Sequence, residues 1–257
     1  MTNNRKIAFS VIVTSLSIVA IFFICDYLHL LIDSNKRKNT ALQHDYDVYG
    51  GMTDELRDSA LFDDMQSGKT FCFLGDSITN GTVTYGLHWY QPLLKYIKGD
   101  VTSLSYKGWE VKNLIDNRDI IVKTDVYVIA IGINDALTIG EKSITASKFA
   151  DRCSFLANRI RNINPDADIY FIAPWYYFGF DDERMQRGDE FRHALGEMCA
   201  QYNYNYINPN SFIEKEFEKE DISKFMLNNF HPKAPDGIEL FSYAVLKSAH
   251  EQRASNT

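Results

Sequence analysis

The stretch FCFLGDSITNG, Phe71 to Gly81, sets a short apolar run directly against Gly75, Asp76 and Ser77. Phe, Cys, Phe and Leu in succession, with no polar alternation, suit a strand buried in a sheet. The small residue, carboxylate and hydroxyl that follow end it abruptly. Two readings fit that ending. Asp76 or Ser77 caps a following helix, or a hydroxyl is displayed as a nucleophile at the end of a strand.

Three further runs rich in Val, Ile, Tyr and Phe read as strands: DVYVIAIG at 125–132, DIYFIAP at 168–174 and YNYINP at 204–209. Helical spacing of apolar residues lies between and after them, in HWYQPLLKYI at 88–97, SKFADRCSFLANRIRNI at 147–163, DEFRHALGEMCAQY at 189–202 and GIELFSYAVLKSAH at 237–250. Within the first of these, His88 to Leu94 reads as a core helix with one exposed face. Alternating strand and helix imply a mostly parallel sheet with helices on both faces, because a parallel crossover needs a helix to return the chain. The expected fold class is therefore α/β. In such sheets ligands bind at the carboxyl ends of the strands, where the polar clusters after Leu74, Ile131 and Ala173 stand.

The 257 residues are 45% hydrophobic and 24% charged, the balance of a globular protein. A formal charge of −7 argues against a nucleic-acid partner, which requires clustered Lys and Arg. Residues 7–25 carry no charge and lead into the largely apolar DYLHLLI, which matches the length needed to cross a bilayer. Ala20 lacks the small partner of a cleavage site, so an uncleaved anchor is expected. The division that follows is a head at 1–6, a transmembrane helix at 7–31, a stalk at 32–66 and a catalytic domain at 67–257. Arg5 and Lys6 before the span nearly balance Lys36, Arg37 and Lys38 after it, and a short head held in the cytoplasm favours a single-pass membrane protein with its domain outside. Of four Cys, Cys25 lies in the apolar span, and Cys72, Cys153 and Cys199 read as buried small hydrophobes rather than a disulfide framework or zinc site.

Each polar cluster alone has an ordinary turn-forming explanation. In order, however, GDSIT at 75–79, YKGWE at 106–110, GIND at 132–135 and NNFHP at 228–232 resemble the SGNH hydrolases, the GDSL esterase and lipase superfamily. Ser77, Gly108, Asn134 and His231 match its four name-giving residues, and the resemblance covers Thr70 to about His250. It implies a flavodoxin-like three-layer sandwich, with Ser77 as nucleophile and His231 as its base. By the same resemblance, the backbone N–H groups of Ser77 and Gly108 and the amide of Asn134 form the oxyanion hole. The chemistry is consistent. A serine hydroxyl needs a base to take its proton, and a neutral imidazole with an unperturbed pKa of about 6.5 can accept it. With no G-x-x-x-x-G-K-[ST] or H-E-x-x-H motif, neither metal nor other cofactor is expected.

One position departs from the family. An Asp usually stands three residues before the catalytic His, and here it is Asn228. Its amide oxygen can in principle accept from the Nδ1 proton of His231, but it supplies no charge. Asp236, after the His-Pro pair, is either a substitute acid or, more simply, the cap of the last helix. PWYYFGFDDERMQRGDEF, Pro174 to Phe191, follows the DIYFIAP strand and overhangs the expected site. Its Trp175 and Tyr176 either bind substrate by stacking on sugar rings or lining an acyl pocket, or fill the loop's own interior. The expected activity is that of a serine esterase or O-acyltransferase, with acetyl as the acyl group and an acylated small molecule or cell-envelope glycan as substrate. The alternatives are a tethered glycan-binding module that has lost catalysis through Asn228, and a lipid-directed lipase.

Overall fold

The computed structural model describes residues 31–255. The chain divides into two units, residues 1–44 and 45–257. Of the first, residues 31–43 are helical. The expected head and transmembrane helix lie outside the described residues, save Leu31. Among the described residues no helix is long and apolar enough to cross a membrane.

The second unit is built on five parallel strands, β1 (Phe71–Gly75), β2 (Val101–Ser105), β3 (Val126–Ala130), β4 (Asp168–Ile172) and β5 (Asn205–Ile207), in the order β2-β1-β3-β4-β5. This is the flavodoxin-like doubly wound order, whose topological switch point falls between β1 and β3. The helices of this unit are α1 (Asp54–Arg57), α2 (Ala60–Gln66), α3 (Ser77–Asn80), α4 (Val111–Asp116), α5 (Ile133–Leu137), α6 (Ala146–Ile163), α7 (Asp182–Tyr202), α8 (Asn210–Phe217), α9 (Ile222–Phe225) and α10 (Asp236–Ser255).

Side chains alternate across a strand, and the two apolar cores follow that period. Phe71, Phe73, Val126, Val128, Tyr170 and Ile172 enter one core with Leu61, Phe62 and Met65 of α2, Phe212 and Ile213 of α8, and Leu240, Phe241 and Val245 of α10. Cys72, Leu74, Tyr127, Ile129, Ile169 and Phe171 enter the other with Val111 and Leu114 of α4, Phe149, Cys153 and Leu156 of α6, and Phe191, Leu195 and Cys199 of α7. Layers on both faces explain why β1, β3 and β4 read as nearly unbroken apolar runs. The three cysteines are free and buried, as expected.

The structure corrects three expectations. The folded unit begins at Asp45, so residues 45–66 belong to it rather than to a stalk. Val48, Leu56, Leu61, Phe62 and Met65 are core residues there, and the acidic residues between them mask that apolar set in the sequence. The stretch after His88 forms a 3-10 helix, Gln91–Tyr96, rather than an α-helix. Pro92 in its first turn removes a backbone donor, while the core contribution of Trp89, Tyr90 and Leu93 is retained. Strand β2 was not visible in the sequence. It is an edge strand of Val, Thr, Ser, Leu and Ser, whose Thr102 and Ser103 hydroxyls donate to the carbonyls of Phe71 and Phe73 at 3.1 Å.

Candidate active site

At the end of β1, a Cβ on Gly75 would lie 2.2 Å from the Thr79 hydroxyl and 2.5 Å from the Ala130 carbonyl, so only glycine lets β1, β3 and α3 meet this closely. Of the two sequence readings of the next residues, the helix cap falls to Asp76. Asp76 caps α3, its Oδ1 accepting from the Ile78 N–H at 3.0 Å. Ser77 is therefore not needed as the cap. Its Oγ lies 2.9 Å from Nε2 of His231, and both residues are buried.

His231 is carried by a tight loop between α9 and α10. An antiparallel bridge joins Met226 to Pro232, and the Leu227 N–H donates to the His231 carbonyl at 2.9 Å. Asn228 organises the interior of this loop. Its Oδ1 accepts from the backbone N–H of Phe230 at 3.1 Å and of His231 at 2.9 Å. Nδ1 of His231 lies 3.1 Å from Nδ2 of Asn228 and 3.2 Å from its Oδ1. The Phe230 ring centre packs 4.2 Å from the imidazole. Asp236 stands in the first turn of α10.

The oxyanion candidates follow neighbouring strands. Gly108 comes just after β2, with φ +73° and open space where a Cβ would point. Glycine adopts that backbone without penalty and leaves the approach to the site clear. Asn134, at the start of α5 beyond β3, donates from Nδ2 to the Trp109 carbonyl at 2.9 Å, and Asp135 accepts from the Val111 N–H at 3.0 Å. The Asn-Asp pair thus fixes the segment just after Gly108. Three residues beyond Ser77, Asn80 donates to the Ser105 carbonyl at 3.0 Å and ties α3 to the end of β2. Ser77, Gly108, Asn134 and His231 are in this way collected at the carboxyl edge of the sheet, around the switch point.

Electrostatically the site keeps His231 neutral. The pKa of His231 falls to about 4, through burial first and the nearby Lys107 second. Sequence reasoning missed Lys107, although it stands directly before Gly108. Below the site, burial pushes the carboxyls of Asp76 and Asp135 up to about 7, and Oδ2 of Asp76 and Oδ1 of Asp135 have no hydrogen-bond partner. Among the described residues no group of His, Cys, Asp and Glu is arranged to hold a metal.

The substrate-binding role expected of Trp175 is corrected. It is 1% exposed, with its ring 4.8 Å from Phe241 and 5.3 Å from Trp89, so it is part of the core. Tyr176 is half-buried with its ring 5.7 Å from Phe217. The aromatic loop instead braces the histidine loop. The Phe178 N–H donates to the Asn229 carbonyl at 3.1 Å, and the Asn229 amide donates back to the Phe178 carbonyl at 2.8 Å. Gly108 is flanked by the aromatic side chains of Tyr106, 64% exposed, and Trp109, with ring centres 5.9 Å apart.

Residues 73–235 match the GDSL-like Lipase/Acylhydrolase family. No curated protein matches the chain. Among solved structures, a Parabacteroides merdae protein described as a GDSL-like lipase superposes with a TM-score of 0.62 at 20% identity, covering 72% of this chain and 97% of that one. An acetylxylan esterase from Geobacillus stearothermophilus gives 0.59 at 20% identity, over 72% of this chain and 96% of its own. An α/β hydrolase from the Lake Arreo metagenome gives 0.58 at 14% identity, over 71% and 95%. At these identities the likeness is one of fold.

Proposed function

Because residues 73–235 make the chain a member of the GDSL-like Lipase/Acylhydrolase family, and so an SGNH-type ester hydrolase, we propose that it removes or transfers a short acyl group, acetyl above all, on a carbohydrate. The observation that carries the reading is the buried contact of 2.9 Å between Ser77 Oγ and His231 Nε2 at the switch point of the sheet. In the reaction, His231 in its Nδ1–H form takes the Ser77 proton on Nε2 as Oγ attacks the ester carbonyl. The backbone N–H groups of Ser77 and Gly108 and the Asn134 amide receive the developing oxyanion. Such donors act strongly because they are fixed before the reaction begins. Collapse of the tetrahedral intermediate releases the alcohol, which takes the proton from Nε2 and leaves an acyl group on Ser77. Water then regenerates Ser77 and frees the acid, or a sugar hydroxyl takes the acyl group in its place.

Two features support a carbohydrate substrate: the acetylxylan esterase among the structures of like fold, and the Tyr106 and Trp109 rings beside Gly108. An apolar ring face is a good platform for a sugar, and the polar edge of Tyr or Trp tolerates water. Residues 7–31 provide the proposed membrane anchor, with the catalytic unit outside the cell and a cell-envelope glycan within its reach. The test is covalent labelling of the full-length protein by a serine-reactive phosphonate, read by intact mass. The expected result is one adduct per chain, abolished by both Ser77→Ala and His231→Ala. An unlabelled, folded wild-type protein overturns the reading. Product analysis with and without a glycan acceptor then separates hydrolysis from transfer.

A further inference from the structure

The Asn228 amide sits between two demands that it cannot meet together. Its oxygen accepts from the backbone N–H groups of Phe230 and His231, at 3.1 and 2.9 Å. A carbonyl oxygen has two lone pairs, and these two donors occupy them. Turning the amide over would set its NH₂ group against both backbone donors, so the hydrogen-bond network fixes which end is oxygen. With the oxygen committed, the NH₂ group is the nearer end to the imidazole, 3.1 Å from Nδ1. That group is a donor, and a neutral imidazole that accepts on Nδ1 carries its proton on Nε2. The Nε2 proton then points at Ser77 Oγ, 2.9 Å away.

We propose that Asn228 is a positioning residue that holds resting His231 as the Nε2–H tautomer, so that Ser77 is hydrogen-bonded by its base but not activated by it. Turnover proceeds through the minor Nδ1–H tautomer, and the enzyme is attenuated by its own loop. An aspartate at 228 would reverse this with little change of shape. One carboxylate oxygen would keep the two backbone bonds while the other accepted from Nδ1–H, freeing the Nε2 lone pair for the serine proton. The inference rests on the hydrolase reading above for its kinetic consequence, but not for its spectroscopic one.

The experiment is ¹⁵N NMR of the full-length protein labelled at histidine, with the His231 signals assigned by comparison with His231→Gln, alongside phosphonate labelling rates for the wild type and Asn228→Asp. The expected spectrum shows the proton on Nε2 in the wild type and on Nδ1 in Asn228→Asp. The expected rate rises at least tenfold in the variant, with an upper bound near the roughly 10⁴ that the opposite exchange costs a serine protease. The acidic limb of the variant's rate also moves to higher pH, because a carboxylate beside the ring favours imidazolium. An Nδ1–H signature in the wild type overturns the proposal whether or not the protein labels. So does an Asn228→Asp protein that is folded but labels no faster than a reactive wild type. If neither protein labels while the Nε2–H signature is present, the tautomer assignment stands and the hydrolase reading falls.

Discussion

At the scale of single residues, the site was legible wherever chemistry sits in consecutive positions and illegible where it depends on approach. Ser77, Asn134 and His231 each stand in a short run that alone has an ordinary turn-forming explanation, and only the order of those runs along the chain points to a site. Trp175 shows the opposite case: an aromatic beside a strand end is equally a core residue or a sugar platform, and only its contacts with Phe241 and Trp89 decide. Nothing in the neighbours of Lys107 announces its electrostatic effect on His231. Its charge has a measurable consequence. A general base works only when unprotonated, and the acidic limb of kcat/KM reports its pKa in the free enzyme. With His231 lowered to about 4 by burial and Lys107, activity is expected to persist from neutral pH down to about 5, where an unperturbed histidine would be mostly protonated. Lys107→Glu replaces a repelling charge with an attracting one and moves that limb upward. Because Lys107 is exposed, the shift is expected to be below about one pH unit and to shrink with added salt. A pH–rate series at two ionic strengths checks both the direction and the screening.

At the scale of elements, what could be read was set by burial. Strands β1, β3 and β4 are covered on both faces and show themselves as apolar runs, whereas β2 borders solvent and is composed of residues equally at home in a loop. The spacing shows the long helix α6 and the second two-thirds of α7, whose first turns at 182–188 read as loop; each helix is capped by a side chain, Thr145 and Asp181, that accepts from the first turn. The expected loop at 174–191 does follow β4, but its second half is the start of α7, and the task of the remaining PWYYFGF segment is mechanical. It buries Trp175 and Tyr177 in the core and grips Asn229 through two backbone-directed hydrogen bonds. Trp175→Ala is therefore expected to act on stability rather than on substrate affinity. Removing a buried Trp costs about 3–5 kcal/mol, and a domain of this size loses about 2–4 °C of Tm per kcal/mol. Thermal unfolding with KM measured well below the transition separates the two effects: Tm should fall by about 6 °C or more while KM stays within about twofold of the wild type. A weakened KM with unchanged Tm would return Trp175 to the substrate site.

At the scale of the whole molecule, the limits of the folded unit follow from which apolar residues its two cores require. The acidic stretch 45–66 looks like a spacer because seven Asp and Glu residues are interspersed among its apolar ones. The structure shows a sparse but regular set, Val48, Leu56, Leu61, Phe62 and Met65, laid against Phe71, Val126 and α10 on one face of the sheet. Ion pairs hold the same segment from outside, with Glu55 on Lys247 and Asp63 on Arg253 of α10. Exposed pairs of this kind contribute little each, so the apolar contacts decide. Deleting one buried Leu or Met side chain typically costs about 2–5 kcal/mol, against a total stability of about 5–15 kcal/mol for a domain. A protein beginning at Asp45 is thus expected to melt as one cooperative unit and to keep the phosphonate reactivity of the full chain. One beginning at Ser67 loses five core side chains and is expected to be insoluble or to lack a cooperative transition. Expressing the two side by side and comparing their melting curves tests the boundary. A cooperative, reactive protein starting at Ser67 would show that 45–66 is a stalk after all, and that the core closes without it.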